Sequence, residues 1–310
     1  MPDFIHQPVL LGEVLAALAL PPNGRAVDGT LGSGGHAQAM LDRLGPGGRL
    51  LALDRDGDAL ERGRKRLAGF GDRVRFEHGN LADVAGLARA AGFDGVQGVL
   101  FDLGVSSDQL DTAGRGFSFQ QDGPLDMRMD RSQGPGAAEW VATTEVPEMI
   151  RVFREYGEEP MAVAVARAIE RERRRGPVTS TLRFAEIVSD AKGGRRGRIH
   201  PATQVFQAVR MAVNRELESV AAGLAGALDL LAPGGRLAVI TFHSLEDRLV
   251  KHFFAAHEGR EVSLQQGGSE WQGELPRVRR VTRKPVTASD GELAANPRAR
   301  SAKLRTVEKQ

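Results

Sequence analysis

The 310-residue sequence contains no cysteine, which excludes disulfides and thiolate-held zinc or iron–sulfur sites and suits the reducing cytosol. No apolar run approaches the about 20 residues that a membrane-spanning helix needs. Residues 1–11 lack the basic start and apolar stretch of a secretory signal peptide. The histidines show no zinc spacing such as H-E-x-x-H, and the aspartates at 122, 126 and 130 do not match a calcium loop. We therefore expect a soluble, cytoplasmic protein that needs no metal and is not bound to a membrane.

The formal net charge is only +2, but the charge is distributed unevenly along the chain. Residues 165–215 carry a net charge of +8 and residues 271–310 carry +6, so the remainder is strongly acidic. Two basic segments on an acidic body are typical of a protein that holds a polyanion electrostatically. The alternative is that the arginines of the first segment lie on a solvated helix face.

Strand and helix patterns alternate over the first third of the chain. Short strands are predicted at residues 25–28, 49–54, 74–77 and 96–102, each followed by a helical pattern except the last. Such alternation indicates a parallel sheet with right-handed crossovers. Residues 105–200 then contain helical stretches and a loop rich in glycine and aspartate, but no convincing buried strand.

The sheet pattern resumes in the last third. Apolar residues from Val205 to Leu231 recur at three- and four-residue spacing, which predicts one helix with one apolar face. A fifth strand follows at residues 236–242, and the tail has β-rich segments at 277–287 and 299–307. We therefore predict an α/β protein: a doubly wound sheet with a mainly helical insert after its fourth strand. The predicted borders are 1–105 and 201–310 for the sheet domain and 106–200 for the insert.

A glycine-rich turn follows the first predicted strand. Residues 27–36 read VDGTLGSGGH, and such glycines let the backbone approach a bound nucleoside closely. Asp54 closes the second strand, where a carboxylate can accept hydrogen bonds from both hydroxyls of a ribose. The alternative is that the glycines only form a tight turn and that Asp54 only caps a helix. Because the glycine spacing does not fit G-x-G-x-x-G and the turn holds no basic residue, the pattern favours S-adenosylmethionine over a nicotinamide dinucleotide.

Two candidate catalytic residues lie where later strands end. Asp102 closes the fourth strand, and an acidic residue at the end of an apolar strand is costly unless it has a role. We expect it to face the donor or the incoming substrate amine; the alternative is that it caps a turn. His243 follows the fifth strand and is the second candidate, to contact RNA or relay a proton. Residues 244–247 predict a capping box at the next helix, with Asp247 as a capping residue.

Several unusual segments resemble one known family. They read DLGVSS at 102–107, RGFSF at 115–119, DGPLDMRM at 122–129, TFHSLEDR at 241–248 and NPRARS at 296–301, preceded by His6 and PVLL at 8–11. They resemble the bacterial family of 16S ribosomal RNA cytosine-N4 methyltransferases, also called MraW or RsmH, over about residues 6–308. The resemblance implies a Rossmann-like methyltransferase fold with a helical insert, S-adenosylmethionine as methyl donor, and a cytosine in the ribosomal decoding region as acceptor.

The resemblance also implies a donor site when it is carried over residue by residue. That site comprises Gly34, Gly35, His36, Asp54, Leu81, Asp102 and Gln109. Leu81 gives only apolar contact where an aromatic residue would stack on adenine. His36 opens a helix, where its ring either contacts the methionine part of the donor or packs as a surface histidine.

The acceptor chemistry constrains the remaining residues. The lone pair of a cytosine amine is delocalised into the ring, so the site must hold the N–H groups with acceptors. The Asp/Asn/Ser-Pro-Pro-aromatic sequence of many amino-methyltransferases is absent, and residues 102–105 take its place. We expect Asp102 or a nearby backbone carbonyl to be the acceptor.

We expect the partner to be 16S ribosomal RNA or the assembled small subunit, held mainly by Arg195, Arg196 and Arg198 of the basic insert. A homo-oligomer is compatible with the sequence. Two other functions stay open: a nicotinamide-dependent oxidoreductase on the same fold, and a non-catalytic RNA-binding assembly factor that kept a nucleoside pocket. The glycine spacing disfavours the first, and the intact Asp54 and Asp102 disfavour the second.

Overall fold

The computed structural model describes residues 8–194, 200–263, 268–272 and 276–310. The chain divides into two compact units. The first unit comprises Met1–Gly104 and Leu217–Gln310, and the second comprises Val105–Glu216. Within the described ranges, every helix is too short or too polar to cross a membrane.

The strands belong to the first unit. They are β1 (Arg25–Asp28), β2 (Arg49–Asp54), β3 (Val74–His78), β4 (Val96–Asp102), β5 (Leu231–Thr241), β6 (Arg260–Ser263), β7 (Ser269–Gln272), β8 (Val278–Arg280) and β9 (Lys303–Lys309). Seven of them form one sheet in the order β3-β2-β1-β4-β5-β9-β8, and β6 pairs with β7 as a separate antiparallel ribbon. In the seven-stranded sheet, β1 to β5 are parallel, and β9 runs antiparallel to both β5 and β8.

The helices are divided between the two units. The first unit contains α1 (Leu11–Leu18), α2 (Gly35–Leu44), α3 (Gly57–Arg66), α4 (Val84–Ala90), α11 (Glu216–Leu230, with its first residue in the second unit), α12 (Ser244–Glu258) and α13 (Asp290–Ala295). The second unit contains α5 (Ser107–Asp111), α6 (Ala137–Thr143), α7 (Val146–Glu155), α8 (Ala162–Arg173), α9 (Thr181–Ala191) and α10 (Thr203–Asn214).

Helices cover both faces of the sheet, which explains the continuous apolar runs in its strands. Along β2, Leu51 and Leu53 join one hydrophobic cluster, whereas Leu50 and Ala52 join the other. Successive side chains of a strand point to opposite faces, so both faces of β2 are buried. The four strands predicted before the insert are found with bounds equal to or within one residue of those predicted. The predicted Rossmann-like, doubly wound α/β class is confirmed.

The prediction of one helix from Val205 to Leu231 is wrong. The chain forms α10 and α11 with a break at Arg215, whose backbone is left-handed with φ 48°. The three- and four-residue spacing continues across the break because each helix buries an apolar face of its own. The sequence-based division also placed α10 with the sheet domain, whereas it lies within the second compact unit.

The two ends of the last third also differ from expectation. The fifth strand begins at Leu231 rather than 236, because Leu231 pairs with Val96 before a register shift at the Pro-Gly-Gly segment, residues 233–235. The tail does form two antiparallel strands, β8 and β9, but α13 separates them, so they are not a tight hairpin.

The second unit is a helical body with its own hydrophobic core. Its DGPLDMRM segment is braced by polar contacts within the unit. The Asp122 carboxylate accepts hydrogen bonds from the Ser180 hydroxyl and the Leu182 amide at the start of α9. Met127 has a left-handed backbone, φ 60°, and its carbonyl accepts a 2.7 Å hydrogen bond from the Asn214 side chain. This segment therefore has a structural role inside the unit.

Candidate functional site

Three aspartates end three adjacent strands of the first unit. β1 lies between β2 and β4, and Asp28 is in register with Ala52 of β2 and Leu100 of β4. Along their strands, Asp54 and Asp102 each lie two residues beyond these partners, so both are nearer the carboxyl edge of the sheet than Asp28 is. The fold therefore brings together the two predicted site residues of the strands and adds Asp28, which is 1% exposed.

The glycine-rich turn is tied to two of these strand ends through Thr30. The Thr30 amide donates to Asp28 Oδ1 at 3.1 Å, and the Thr30 hydroxyl accepts a 2.6 Å hydrogen bond from the Asp102 amide. Gly34 takes φ 79°, a backbone conformation that favours glycine, immediately before α2. Gly35 has no space for a side chain, because a Cβ there would overlap Pro8. These contacts hold the predicted glycines beside the ends of β1 and β4.

Asp54 braces the same turn from the other side. Its Oδ2 accepts a hydrogen bond from the Gly32 amide and its Oδ1 accepts one from the Asp56 amide, each at 2.8 Å. An ionised carboxylate has about four lone-pair sites, so these two bonds leave acceptor capacity for a ligand. The helix-capping role belongs to Asp56, whose side chain accepts from the Asp58 amide at the start of α3.

Asp102 lies beside His36, the second residue of α2. His36 Nδ1 is 3.5 Å from Asp102 Oδ2, and His36 Nε2 is 2.9 Å from the Val9 carbonyl oxygen. Because a carbonyl can only accept, Nε2 carries a proton, and the Nδ1 of a neutral ring then presents its lone pair toward Asp102. Asp102 Oδ1 is buried and has no hydrogen-bond partner within the described part of the chain.

Burial changes the protonation of all three carboxyls. It raises the pKa of Asp102 to about 8, with the negative charges of Asp28 and Glu246 acting in the same direction. Burial likewise raises the pKa of Asp28 to about 7 and that of Asp54 to about 6. The folded protein thus holds these protons more tightly than the unfolded chain. Their contribution to stability is complete below the usual aspartate pKa near 3.8 and is lost as the pH rises through about 8.

His243 has a structural role that the sequence did not predict. It is the residue before α12, and its Nδ1 accepts from the Glu246 amide while Glu246 Oε2 accepts from the His243 amide. Its Nε2 lies 3.0 Å from Glu246 Oε1. The predicted capping box at residues 244–247 is therefore wrong by one residue, because the imidazole supplies the acceptor that a serine usually supplies. Asp247 does not cap the helix; it pairs with Arg305 at 2.7 Å.

The two other predicted donor residues have contacts of their own. Leu81 lies in a short 3-10 turn after β3, and its Cδ1 packs so closely on α11 that a Cβ at Gly223 would overlap it. Gln109 belongs to the second unit, where it forms a capping box with Ser106 at the start of α5. Its Oε1 accepts from the Ser106 amide at 3.1 Å. The donor-binding roles of Leu81 and Gln109 stay predictions.

Arg195, Arg196 and Arg198, the predicted RNA contacts, lie outside the described residues. Several other cations of the basic insert pair with carboxylates of the same unit. These pairs are Arg174–Glu170, Arg175–Glu172, Arg183–Glu172, Lys192–Glu159 and Arg210–Glu216. Part of the positive charge counted in the sequence is thus neutralised locally.

Sequence reasoning missed Asp28 and Thr30 as site residues. For Asp28 a signal was present, because it closes an apolar strand in the same way as Asp54 and Asp102. For Thr30 no signal was present, since its role depends on the Asp102 amide, 72 residues away in the sequence.

Comparisons with known proteins agree on one family. The sequence model of the MraW methylase family matches residues 3–310. A protein of Pelobacter propionicus named Ribosomal RNA small subunit methyltransferase H is 50% identical over 100% of both chains. A protein of the same name from Thermomicrobium roseum is 49% identical and covers 98% of this chain and 93% of its own. One from Geobacter is 50% identical over 100% of both.

Proposed function

The chain belongs to the MraW methylase family, and we propose that it is an S-adenosylmethionine-dependent methyltransferase of small-subunit ribosomal RNA. Within that RNA we propose N4 of a cytosine in the 16S decoding region as the acceptor. The names of the relatives support the RNA, and the resemblance of the DLGVSS and TFHSLEDR segments supports the position.

One observation carries this proposal at the level of the site: Asp28, which is buried, and Asp54 and Asp102, which are half-buried, end three adjacent strands beside the glycine-rich turn. A nicotinamide dinucleotide would bring an anionic pyrophosphate to the turn, where each of these carboxyls that is ionised would repel it. S-adenosylmethionine instead carries positive charge on its sulfur and its amino group. Asp28 Oδ2 and Asp102 Oδ1, which are buried without a hydrogen-bond partner among the described residues, fit such a cation.

The residues that would hold the donor divide into two groups. Asp54 would bind the ribose hydroxyls, and the turn with Gly34, Gly35 and His36 would surround the remainder together with Asp102. When bound, S-adenosylmethionine supplies a methyl group on a positively charged sulfur. The protein must then align the acceptor nitrogen with that carbon and keep its N–H groups occupied.

Asp102 would hold the acceptor amine. Its carboxylate accepts an N–H hydrogen bond, which favours a lone pair on the nitrogen, and it disperses the positive charge that develops there. The pKa of Asp102 is about 8, and the positive charge of the bound donor favours its ionised form, so that the carboxylate can take the amine proton. The lone pair of His36 Nδ1, 3.5 Å from Asp102 Oδ2, lies next in line for that proton.

The function is tested with the purified protein, labelled S-adenosylmethionine and small subunits or 16S RNA from cells that lack this protein. We expect label on the RNA and, after nucleoside digestion and mass mapping, N4-methylcytidine at one position. Titration with NAD is the matched ligand control and should show no binding. RNA that stays unlabelled would contradict the methyltransferase activity on ribosomal RNA. Label on another nucleoside would contradict cytosine N4 as the acceptor.

Donor binding should depend on pH. At low pH the carboxyls of Asp54, Asp28 and Asp102 are protonated and attract a cation less, and they ionise through pKa values of about 6, 7 and 8. Affinity for S-adenosylmethionine is therefore expected to rise by about tenfold or more as the pH rises over that window, since each released proton contributes up to about tenfold per pH unit.

Calorimetric titration at pH 7 in two buffers of different ionisation enthalpy measures the protons released on binding. S-adenosylhomocysteine is the control ligand, because it lacks the charged sulfur and should show a weaker pH dependence. Equal pH dependence for the two ligands would mean that the carboxyls do not sense the sulfonium.

The basic insert is expected to hold the RNA. Reversing Arg195, Arg196 and Arg198 to glutamate should weaken RNA binding at low salt and leave donor affinity unchanged, because phosphate contacts dominate such binding. A charge-matched control reverses Arg154, Arg167 and Arg171, which are exposed on α7 and α8 of the same unit. Equal RNA affinity for the two triple variants would show that residues 195–198 are not a special contact.

A further inference from the structure

A cationic groove lies on the first unit between α12 and the last two strands of the seven-stranded sheet. It is lined by Lys251, Phe254, Arg280, Thr282, Arg305 and Thr306. Phe254 is buried in the hydrophobic cluster that also contains Val278 and Val307, so α12 is packed firmly on β8 and β9. The groove walls are therefore parts of the folded core rather than loops.

Two arginines of the groove are held in place by carboxylates of α12. Arg305 makes two hydrogen bonds to Asp247, at 2.7 and 3.1 Å, and Arg280 pairs with Glu258 at 2.7 Å. Asp247 also pairs with Lys303 at 3.4 Å, so one carboxylate is shared by two cations. An arginine fixed in this way loses little side-chain entropy when its remaining N–H groups bind an anion.

Further positive charge lies on the groove wall and on the segment that follows it: Lys251 lines the groove, and Arg283 and Lys284 directly follow the lining residue Thr282. Lys251, Arg283 and Lys284 are exposed and form no ion pair with any residue in the described ranges. With Arg280, Arg305 and Lys303 they outnumber Asp247 and Glu258, the carboxylates that pair with the groove cations. Arginine, lysine and threonine side chains are the usual contacts of nucleic-acid phosphates, so the composition fits a phosphate backbone.

The groove lies close to the edge of the sheet that carries the candidate site, because its lining residue Arg305 is two residues from Lys303 on β9. Lys303 is in register with Thr241, the last residue of β5, and Ile240 of β5 is in register with Asp102 of β4. Because neighbouring strands lie about 4.8 Å apart, β9 is about 10 Å from β4. Lys303 and Arg305, which both contact Asp247, then lead away from that edge along α12.

We propose that this groove binds the phosphate backbone of the RNA strand that flanks the target base. The proposal rests on the proposed function for the identity of the strand, and it adds a second RNA contact, in the first unit, to the predicted basic insert of the second. An RNA chain whose base enters at the edge of the sheet would pass Lys303 and Arg305, with Arg283 and Lys284 beside that part of β9, and would continue toward Lys251 on α12.

The test is a charge reversal at the three uncompensated positions, Lys251→Glu, Arg283→Glu and Lys284→Glu. Binding of a fluorescein-labelled single-stranded RNA oligonucleotide is followed by fluorescence anisotropy over a series of salt concentrations, without donor. At low salt the affinity is expected to fall about tenfold or more. The slope of log affinity against log salt should shrink by about 2, because each lost phosphate contact removes about 0.7 on a single strand.

A matched control reverses Arg43, Arg49 and Lys65, which are exposed on α2, β2 and α3 of the same unit and form no ion pair with described residues. It changes the net charge equally and should bind close to wild type. Thermal unfolding of both variants reports whether the fold is intact. The proposal is overturned if the groove variant matches the control in affinity and slope, or if the wild-type protein does not bind RNA.

Failure of the proposed function would look different. If the protein binds the oligonucleotide through the groove but transfers no methyl group to ribosomal RNA, the groove stands and the methyltransferase assignment falls. If it methylates ribosomal RNA and the groove variant does so with unchanged RNA affinity, the assignment stands and the groove falls.

Discussion

Replacing Asp102 by asparagine is expected to slow methyl transfer by about 10²–10⁴-fold in a single turnover, the usual contribution of a positioned acid–base group. Asp102 Oδ1 is buried without a hydrogen-bond partner in the described chain, and Oδ2 is 3.5 Å from His36 Nδ1. Asparagine keeps the shape of the side chain. It removes the charge that disperses positive charge on the acceptor nitrogen and the oxygen that takes the amine proton.

Single-turnover rates at saturating donor separate this role from donor binding. If Asp102 acts on the acceptor amine, donor affinity changes less than the rate, and added donor does not restore the rate. If Asp102 only anchors the donor, affinity falls in step and saturating donor rescues the rate fully. A full rescue would end the catalytic assignment.

Asp28→Asn is the matched control for this experiment. Asp28 is a buried carboxylate at the end of the neighbouring strand, and an asparagine there can still accept the Thr30 amide. The substitution removes one ionisable carboxyl from the same group of three aspartates without touching the Asp102–His36 pair. We expect it to weaken donor binding but to leave the rate at saturating donor within a few-fold of wild type. A comparable loss of rate in both variants would point to the summed charge of the three aspartates instead of a specific role of Asp102.

The sheet and its ligand edge were predictable because their signals are local. β2 and β4 are apolar runs followed by a turn, and Asp54 and Asp102 end them. A carboxylate at the end of an apolar strand costs free energy of desolvation. Its position in the sequence therefore indicates that this edge of the sheet has a functional role. The same logic applies to Asp28, which lay within the sequence pattern and was overlooked.

The features that could not be predicted depend on tertiary contacts or on single backbone angles. The break between α10 and α11 is one left-handed residue, Arg215, and an arginine gives no sequence signal for that conformation. The capping box uses an imidazole, His243, where a hydroxyl or carboxylate is the familiar pattern. Neither deviation changes the apolar spacing from which helices are predicted.

Charge counts are the weakest sequence signal, because they do not show which cations are already paired. The insert has a large net positive charge, yet several of its arginines pair with glutamates nearby in the chain. The groove on the first unit could not be predicted, because its cations are dispersed along the sequence. Its cations come from α12, β8, β9 and the residues that follow β8, and only the fold brings them together.

Asp54→Ala is expected to weaken S-adenosylmethionine binding by about 1.5–3 kcal/mol, the range for hydrogen bonds to a charged group, which is about 10- to 150-fold in affinity. With a pKa of about 6, Asp54 is mostly ionised at neutral pH and can accept from both ribose hydroxyls. Its existing bonds to the Gly32 and Asp56 amides use one acceptor site on each oxygen.

The competing explanation is that Asp54 only braces the glycine-rich turn, so that its loss disorders the turn and weakens any ligand. The 2′-deoxyribose analogue of the donor decides between the two explanations. If Asp54 binds the 2′-hydroxyl directly, removing either the carboxylate or the hydroxyl breaks that hydrogen bond, and removing both costs no more than removing one. We expect the wild-type protein to prefer the ribose form and Asp54→Ala to lose that preference.

Asp56→Ala serves as the control: it removes a neighbouring carboxylate that caps α3, so it should lower stability by about 1 kcal/mol while donor affinity and the ribose preference persist. A ribose preference that survives in Asp54→Ala would assign Asp54 to the turn alone.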